Sequence, residues 1–208
     1  MPRVFLKHYV FPAVFFIFAS TLSITVKAQT GGLYAEPGVT YEYLDNSISW
    51  PAPFSSSTGT TRGLGLSARL GIHASEIIFV ALDGRYSRPQ FKDSSTNVES
   101  SATSYNWGPV VGVQMPVVGL RVWGQYVMDG TLNPEASGNF DYLFNQATGY
   151  RIGAGFRVTL VSINLEYQDL KYKTTVENAY GFNTNASFSS AGLTSKGWVL
   201  GVSFPLEM

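Results

Sequence analysis

The sequence predicts an all-β fold, an eight-stranded antiparallel up-and-down transmembrane β-barrel. Only 13% of the 208 residues are charged, which is about half the share found in soluble domains, whereas 14% are aromatic. The chain has no stretch of about 18 consecutive apolar residues, and this excludes a membrane protein built from helices. Instead, eight segments carry apolar residues at every second position, which is the period of a β-strand.

The start of the chain has the pattern of a cleaved secretory signal. Two basic residues precede an apolar run over residues 9–19, and the small residue Ala28 closes the polar stretch that follows. The alternative is a retained transmembrane helix, but an apolar run of about 11 residues that contains Pro12 is too short to span a bilayer. We therefore expect a signal peptide over 1–28 and one outer-membrane β-barrel domain over 29–208.

The eight alternating segments define the expected strands. In chain order they are Leu33–Leu44, Gly63–His73, Ile77–Ser87, Tyr105–Met115, Leu120–Asp129, Tyr150–Val158, Ser162–Gln168 and Trp198–Phe204. For the seventh strand, Lys173 is an alternative end. Most of the segments have the roughly 9–11 residues that a tilted strand needs to cross a bilayer.

The connections between these strands alternate in length. Four are long and rich in Ser, Thr, Asn and Gly, namely 45–62, 88–104, 130–149 and 174–197. Three are short, namely 74–76, 116–119 and 159–161. This alternation is typical of outer-membrane barrels, in which the long loops face the cell exterior and the short turns face the periplasm.

The two faces of the expected strands differ in charge. One face is apolar throughout, as a lipid-facing surface requires, because an Arg or Lys at the bilayer midplane costs about 2–4 kcal/mol. The other face takes every charge within the strands and is expected to form a network in the barrel lumen. Its members are Glu36, Glu42, Arg69, Asp83, Arg85, Arg121, Asp129, Arg151, Arg157 and Glu166.

Aromatic residues supply a second, independent indication. If odd strands rise to the cell surface and even strands descend, an outer aromatic girdle should lie late in odd strands and early in even ones. The residues that follow this rule are Tyr41, Tyr43, Tyr86, Tyr105, Trp107, Tyr126, Tyr150, Tyr167 and Trp198. Only the second strand lacks such a residue.

In strand number, loop alternation and lumen chemistry the chain resembles the small eight-stranded outer-membrane barrels of the OmpA and OmpX type. The resemblance covers about Gly32 to Phe204 and rests on no diagnostic motif. It implies a Gram-negative outer membrane, with lipid and lipopolysaccharide around the barrel and insertion by the barrel-assembly machinery. In such proteins an aromatic residue usually ends the last strand, whereas here residues 205–208 follow Phe204.

The lumen permits two functional interpretations. Eight strands enclose a space that side chains can just fill, and charges in so narrow a space must pair or hold water. We expect an ion-pair network that closes the barrel, leaving a structural and surface-interaction role. The alternative is a narrow, porin-like pore for water, ions or small solutes, which many inward glycines would favour by thinning the wall.

Sequence features of enzymes and cofactor sites are weak. Some eight-stranded outer-membrane barrels modify lipid A with a His near the outer end, but His8 lies in the expected signal and His73 lies at the periplasmic end, as a turn or rim residue. The absence of Cys removes thiolate metal sites, and a net charge of 0 gives no support for nucleic-acid binding. We expect no enzyme activity, no cofactor and no metal.

The long connections contain large apolar residues. These are Trp50, Phe54, Phe91, Phe140, Phe144, Phe182 and Phe188. They either pack the loops against each other or contact a surface partner, whose identity the sequence leaves open. The Ser- and Thr-rich surroundings of these residues predict mobile loops.

Overall fold

The computed structural model describes residues 32–49, 55–94, 98–115, 117–136, 140–179 and 182–208, and these form one antiparallel sheet. The strands are β1 Leu33–Ser49, β2 Ser57–His73, β3 Ile78–Asp93, β4 Val98–Met115, β5 Leu120–Val127, β6 Asp129–Pro134, β7 Phe140–Val158, β8 Val161–Ala179, β9 Phe182–Ser203 and β10 Leu206–Glu207. Among these residues there is no helix of the length and apolarity needed to cross a membrane. The expected signal peptide lies outside them and stays a prediction.

The sheet closes into a ring of eight wall strands, which confirms the predicted barrel. Each strand pairs with its sequence neighbours, and pairing between β1 and β9 closes the ring. β5 and β6 are two parts of one wall strand, as are β9 and β10. Following paired residues once around the ring from Tyr43 leads to Leu33, ten residues earlier on β1. This stagger means that the strands tilt steeply against the barrel axis.

The alternation of the sequence becomes an alternation of environments across the wall. On β2, for example, Leu64 and Leu70 are exposed on the outer face, whereas Arg69 is buried inside. The same order holds on the other wall strands, so that apolar side chains coat the outside and polar side chains fill much of the inside. Because successive side chains of a strand point to opposite faces, the period-two pattern alone fixes this arrangement.

The long connections predicted from composition are wrong in extent, because most of their residues belong to strands. β4 begins at Val98 and not at Tyr105, and β9 begins at Phe182 and not at Trp198. Ser and Thr fit a strand whose outer face is polar, and inward residues such as Phe91 and Phe144 are buried. We call the end of the barrel with these extended strands the long-loop end and the opposite end, with turns at 74–77, 117–119 and 159–160, the short-turn end.

The last four residues continue the final wall strand. Pro205 has no N–H and interrupts the ladder of hydrogen bonds. Hydrogen bonds to β1 are nevertheless present both before and after Pro205. The Phe204 N–H donates to the Pro37 carbonyl at 2.9 Å, and the Met208 N–H donates to the Leu33 carbonyl at 2.8 Å. The segment after Phe204 is therefore part of the barrel wall.

Candidate functional site

The barrel interior is stacked in three layers along its axis. The aromatic layer, at the short-turn end, consists of Tyr34, His73, Phe79, Ala81, Val110 and Trp123. The ionic layer, in the middle, consists of Glu36, Glu42, Arg69, Asp83, Arg85, Arg121, Arg151 and Glu166. The apolar layer, at the long-loop end, consists of Ile48, Phe91, Ala102, Val127, Leu132, Phe144, Ala147, Leu170, Tyr172 and Leu193. Each layer draws its residues from several strands.

The ionic layer is held by close ion pairs between strands. Arg69 contacts Asp83 through Nη2 at 3.1 Å and Nε at 3.2 Å. Arg121 Nη1 lies 2.9 and 3.0 Å from the two carboxylate oxygens of Glu36. Arg85 pairs with Glu166, which is 81 residues away in the chain. These pairs join β1, β2, β3, β5 and β8, and thereby fix the strands relative to one another.

Arg151 occupies the centre of a polar cage next to these pairs. Its guanidinium donates from Nε to Gln168 Oε1 at 3.0 Å and from Nη1 to Gln125 Oε1 at 3.1 Å, and it also donates to the Asn106 side chain. Asp83 Oδ1 lies 3.9 Å from Nη1. Only 1% of the residue is exposed. A cation so far from water is tolerated because amide oxygens and a carboxylate surround it.

The charges of the ionic layer balance. Four carboxylates face four guanidiniums, and this balance limits the cost of placing them in a space with little water. Glu42 is the member nearest the apolar layer, and it accepts a hydrogen bond from Ser87 Oγ at 2.8 Å. The formal charges of the ionic layer therefore sum to zero.

The aromatic layer is coupled to the ionic layer through cation–π contacts. The guanidinium carbon of Arg69 lies 4.8 Å from the Trp123 ring centre, and that of Arg121 lies 4.9 Å from the Phe79 ring centre. Such contacts are favourable where water is excluded. Glycines make room for the rings, since a Cβ on Gly153 would collide with the Trp123 indole. The space beside Gly153 is thus filled by the Trp123 ring.

Sequence reasoning missed the apolar layer because most of its residues lie outside the predicted strands, in segments expected to be loops. Phe91 and Phe144 pack with ring centres 5.9 Å apart, and both are buried. The spacing of these residues could have revealed them. On β1, β3 and β7 the period-two alternation of inward and outward residues continues beyond the aromatic girdle. Trp50 and Phe54 lie outside the described residues, as do the side chains of Phe140, Phe182 and Phe188.

Two predicted lumen residues lie elsewhere. The prediction for Asp129 is wrong, because a β-bulge places both Met128 and Asp129 opposite Trp107, whose side chain is on the outer face. Asp129 is therefore shifted out of the inward register. Arg157 is directed inward but sits at the rim of the short-turn end, where its Nη1 contacts Glu207 Oε1 at 2.6 Å. It takes no part in the ionic layer.

The residues expected to form the aromatic girdle lie on the outer face in one band. Register places Tyr43 opposite Trp198, Tyr86 opposite Tyr105, and Tyr126 opposite Tyr150. Tyr167 packs against Trp198 with ring centres 5.3 Å apart. Tyr41 and Trp107 belong to the same exposed band. Such a band is the arrangement that a membrane–water boundary favours.

His73 lies in the aromatic layer and is not an exposed rim residue. It ends β2, its ring centre is 4.7 Å from that of Tyr34, and its Nδ1 is 3.2 Å from Gln114 Nε2. It is the only His in the described part of the chain. Within those residues no group of three or more His, Cys, Asp or Glu side chains is placed to hold a metal ion.

One small cavity interrupts the packing of the interior. Its volume is about 20 Å³, and it lies where β1, β8 and β9 meet the ionic layer. Gly201 and Asn164 line one side, and Asp83 and Arg85 line the other. Oδ1 of Asp83 and Nη1 of Arg85 are buried without a hydrogen-bond partner. A volume of this size suits about one water molecule bound to such groups.

Small outer-membrane barrels are among the solved structures similar to this chain. OprG from Pseudomonas aeruginosa aligns with a TM-score of 0.50 at 12% sequence identity, over 86% of this chain and 98% of OprG. Ail, the attachment invasion locus protein of Yersinia pestis, aligns with a TM-score of 0.47 at 12% identity, over 85% of this chain and 99% of Ail. Neisserial surface protein A aligns with a TM-score of 0.43 at 12% identity, over 85% and 98%.

At such low identity the likeness to OprG concerns the fold alone. No curated protein sequence matches this chain. The sequence model for the outer membrane protein beta-barrel domain, however, matches residues 13–204, which include the ionic layer, the girdle and nearly all of the wall. On this match the chain belongs to the outer membrane protein beta-barrel domain family.

Proposed function

We propose that this protein is a non-enzymatic outer-membrane barrel that is closed to solutes and serves envelope structure and surface interaction. The order of the three interior layers supports this most directly. An ion that crossed the barrel would have to displace the apolar layer, separate the ion pairs around Arg69 and Asp83, and then displace the aromatic layer. Each step exposes buried groups without providing a replacement partner.

Conductance in a planar bilayer tests the closed interior. We expect the purified, folded barrel to give no steady openings at neutral pH, while a porin added to the same bilayer gives its usual steps. Heat-modified gel mobility of the same sample verifies that the barrel is folded, so that an absence of conductance cannot be due to unfolded protein. Steady discrete openings from the folded barrel would overturn the proposal.

A narrow water or ion path is the second candidate, and the cavity beside Gly201 favours it. The unpartnered atoms of Asp83 and Arg85 at this cavity suit a bound water. Substituting Gly201 by Leu would fill the cavity. If the barrel conducts, this variant should lower conductance, whereas Gly124→Leu on the outer face should not.

The long-loop end is proposed to face the cell exterior. β3 continues from Tyr86 to Asp93 beyond the girdle, and its outward residues there, Arg88, Gln90 and Lys92, are polar. Wall of this kind suits contact with water, envelope polymers or another surface. Because the chain has no Cys, single-cysteine variants are specific reporters of which end is outside.

Intact cells are treated with a membrane-impermeant maleimide. We expect Ser94→Cys, at the long-loop end, to be labelled, and Val117→Cys, in a short turn and 99% exposed, to be labelled only after lysis. The reverse pattern would contradict the proposed orientation. It would not bear on the closed interior, which the conductance measurement tests separately.

A lack of enzyme activity toward the surrounding lipid is also part of the proposal. His73 is buried in the aromatic layer at the short-turn end, remote from the proposed exterior. Lipid A from cells with and without the protein should therefore give the same mass spectrum. Any change in acyl chains that depends on the protein would contradict this part.

A further inference from the structure

The outer wall beyond the girdle carries exposed cations on several strands. On the outward face of β2 and β3 lie Arg62, Arg88 and Lys92, which we call the basic patch. Arg88 pairs with Leu64 across the two strands, and Arg62 pairs with Gln90. Arg62 and Arg88 are therefore diagonal neighbours on one face, with Cα atoms about 7–8 Å apart.

The basic patch is only partly neutralised. Arg62 forms an ion pair with Glu99 of β4, whose carboxylate lies 3.5 Å from Arg62 Nη2, and this pair is weak because it is about half exposed. The described outer faces of β2 and β3 themselves thus carry three cations and no carboxylate, and the flanking strands contribute Asp45 on β1 and Glu99 on β4.

Arg88 is oriented for binding at the membrane boundary. Its Nε donates to the hydroxyl of Tyr86, a girdle residue, at 3.1 Å. This bond holds the guanidinium just above the aromatic band, and the terminal nitrogens make no ion pair among the described residues. A planar guanidinium can bind a phosphate by two parallel hydrogen bonds.

The hydrocarbon-facing wall directly below the patch has a depression. β2 is the strand without a girdle aromatic, and on it Ala68 pairs with Gly84 of β3. Gly84 points outward, and a Cβ placed there would meet no atom within 4 Å. Larger side chains surround the pair, among them Leu66, Leu82 and Trp107. An apolar chain can lie against the wall here without displacing protein atoms.

We infer that the outer face of β2 and β3 binds a phosphorylated glycolipid of the outer leaflet, with its phosphate on the basic patch and an acyl chain over Ala68 and Gly84. The inference rests on the proposed orientation, because only then does the patch reach the outer leaflet. Charge alone would attract any anion, but the alignment of a phosphate-binding pair above an apolar depression suits an amphipathic ligand.

Binding to the complete barrel, purified in a phosphate-free detergent, tests this inference. The probes are lipid A with its phosphates, dephosphorylated lipid A, and inorganic phosphate. We expect phosphorylated lipid A to bind about tenfold more tightly than the dephosphorylated form, and inorganic phosphate in the millimolar range not to displace it. Equal affinity for the two lipids, or complete displacement by phosphate, would overturn the inference.

Two pairs of variants locate the site. R62Q/R88Q should weaken binding of phosphorylated lipid A about tenfold, whereas K171Q/K173Q, which removes two exposed cations from β8, should leave it unchanged. Gly84→Leu should weaken binding by filling the depression, and Gly124→Leu, at the other open outward glycine, should not. Equal effects within either pair would contradict a site on β2 and β3.

The orientation is read separately by cysteine labelling. Inverted labelling together with intact lipid binding would contradict the exterior position of the long-loop end and retain the phosphate site. Normal labelling with unchanged binding in R62Q/R88Q would contradict the site and retain the orientation. Gel mobility before and after heating confirms that each variant used is folded.

Discussion

At the scale of single residues, the interior depends on where each charge finds its partners. Arg151 has three amide-bearing neighbours and a carboxylate at 3.9 Å, all contributed by other strands. Arg157 pairs with Glu207 and donates from Nε to the Thr159 carbonyl, and the side chains of Arg157 and Glu207 are one-fifth exposed. Removing the buried cation should therefore cost more stability than removing the rim cation, because only the rim cation is also solvated by water.

Arg151→Ala should be strongly destabilising. The change leaves Gln125, Gln168 and Asn106 without a donor in a closed space, and it removes one cation from a neutral set. We expect the free energy of unfolding to fall by about 3–5 kcal/mol, measured by urea unfolding in lipid vesicles. Arg157→Ala is the matched control and should cost about 1 kcal/mol. Equal losses would mean that the ionic layer is no more buried than the rim.

Two inward glycines should tolerate alanine very differently. A Cβ on Gly201 would lie 3.6 Å from Thr40 Cγ2, which is ordinary contact, and would point to the small cavity. A Cβ on Gly38 would lie 2.8 Å from Ser67 Oγ and 2.9 Å from the Val202 carbonyl oxygen. Gly201→Ala should stabilise the barrel by up to about 1 kcal/mol, and Gly38→Ala should destabilise it by about 1–3 kcal/mol. A loss for Gly201→Ala would show that the cavity contains tightly bound water.

At the scale of strands, alternation predicted the inward and outward faces well, and composition predicted the ends poorly. Arg69 and Leu70 lie on the sides that their spacing requires. The error at Asp129 came from a one-residue bulge, which no period-two pattern reveals. The choice of partner, such as Glu166 for Arg85, depends on strand register and barrel closure across 81 residues, so the sequence alone did not determine it.

Leu82→Arg tests the assignment of the outer face. Leu82 is 57% exposed in the middle of β3, and Leu160, in a short turn, is 52% exposed. The two positions are alike in area but lie in different solvents if the wall crosses a bilayer. Leu82→Arg should lower the free energy of unfolding in vesicles by about 2–4 kcal/mol, and Leu160→Arg by less than about 1 kcal/mol. Similar values for both would contradict the position of the bilayer.

At the scale of the whole molecule, the barrel is a wall between hydrocarbon outside and a neutral ionic core inside. Asp129 and Arg157 lie outside that core. Because these two residues carry opposite charges, the charges that remain in the core still sum to zero. The aromatic layer lies at the short-turn end of this core, and the apolar layer lies at its long-loop end. Trp107, which faces outward, and Trp123, which faces inward, should therefore report two different environments.

Single-tryptophan barrels make this contrast measurable. Trp107 lies exposed in the girdle, and Trp123 is 2% exposed within the aromatic layer. In one variant only Trp107 is kept, in the other only Trp123, and Phe replaces the remaining three tryptophans in each. Brominated lipid should quench Trp107 several-fold more than Trp123, because quenching needs near contact with the acyl chains and the wall lies between them and Trp123. Acrylamide in water should quench Trp123 little, since side chains close both ends.

Two outcomes would contradict these expectations. Equal quenching of Trp107 and Trp123 by brominated lipid would contradict the assignment of the outer and inner faces of the wall. Strong quenching of Trp123 by acrylamide in the folded barrel would mean that water reaches the core and that the second candidate function is correct.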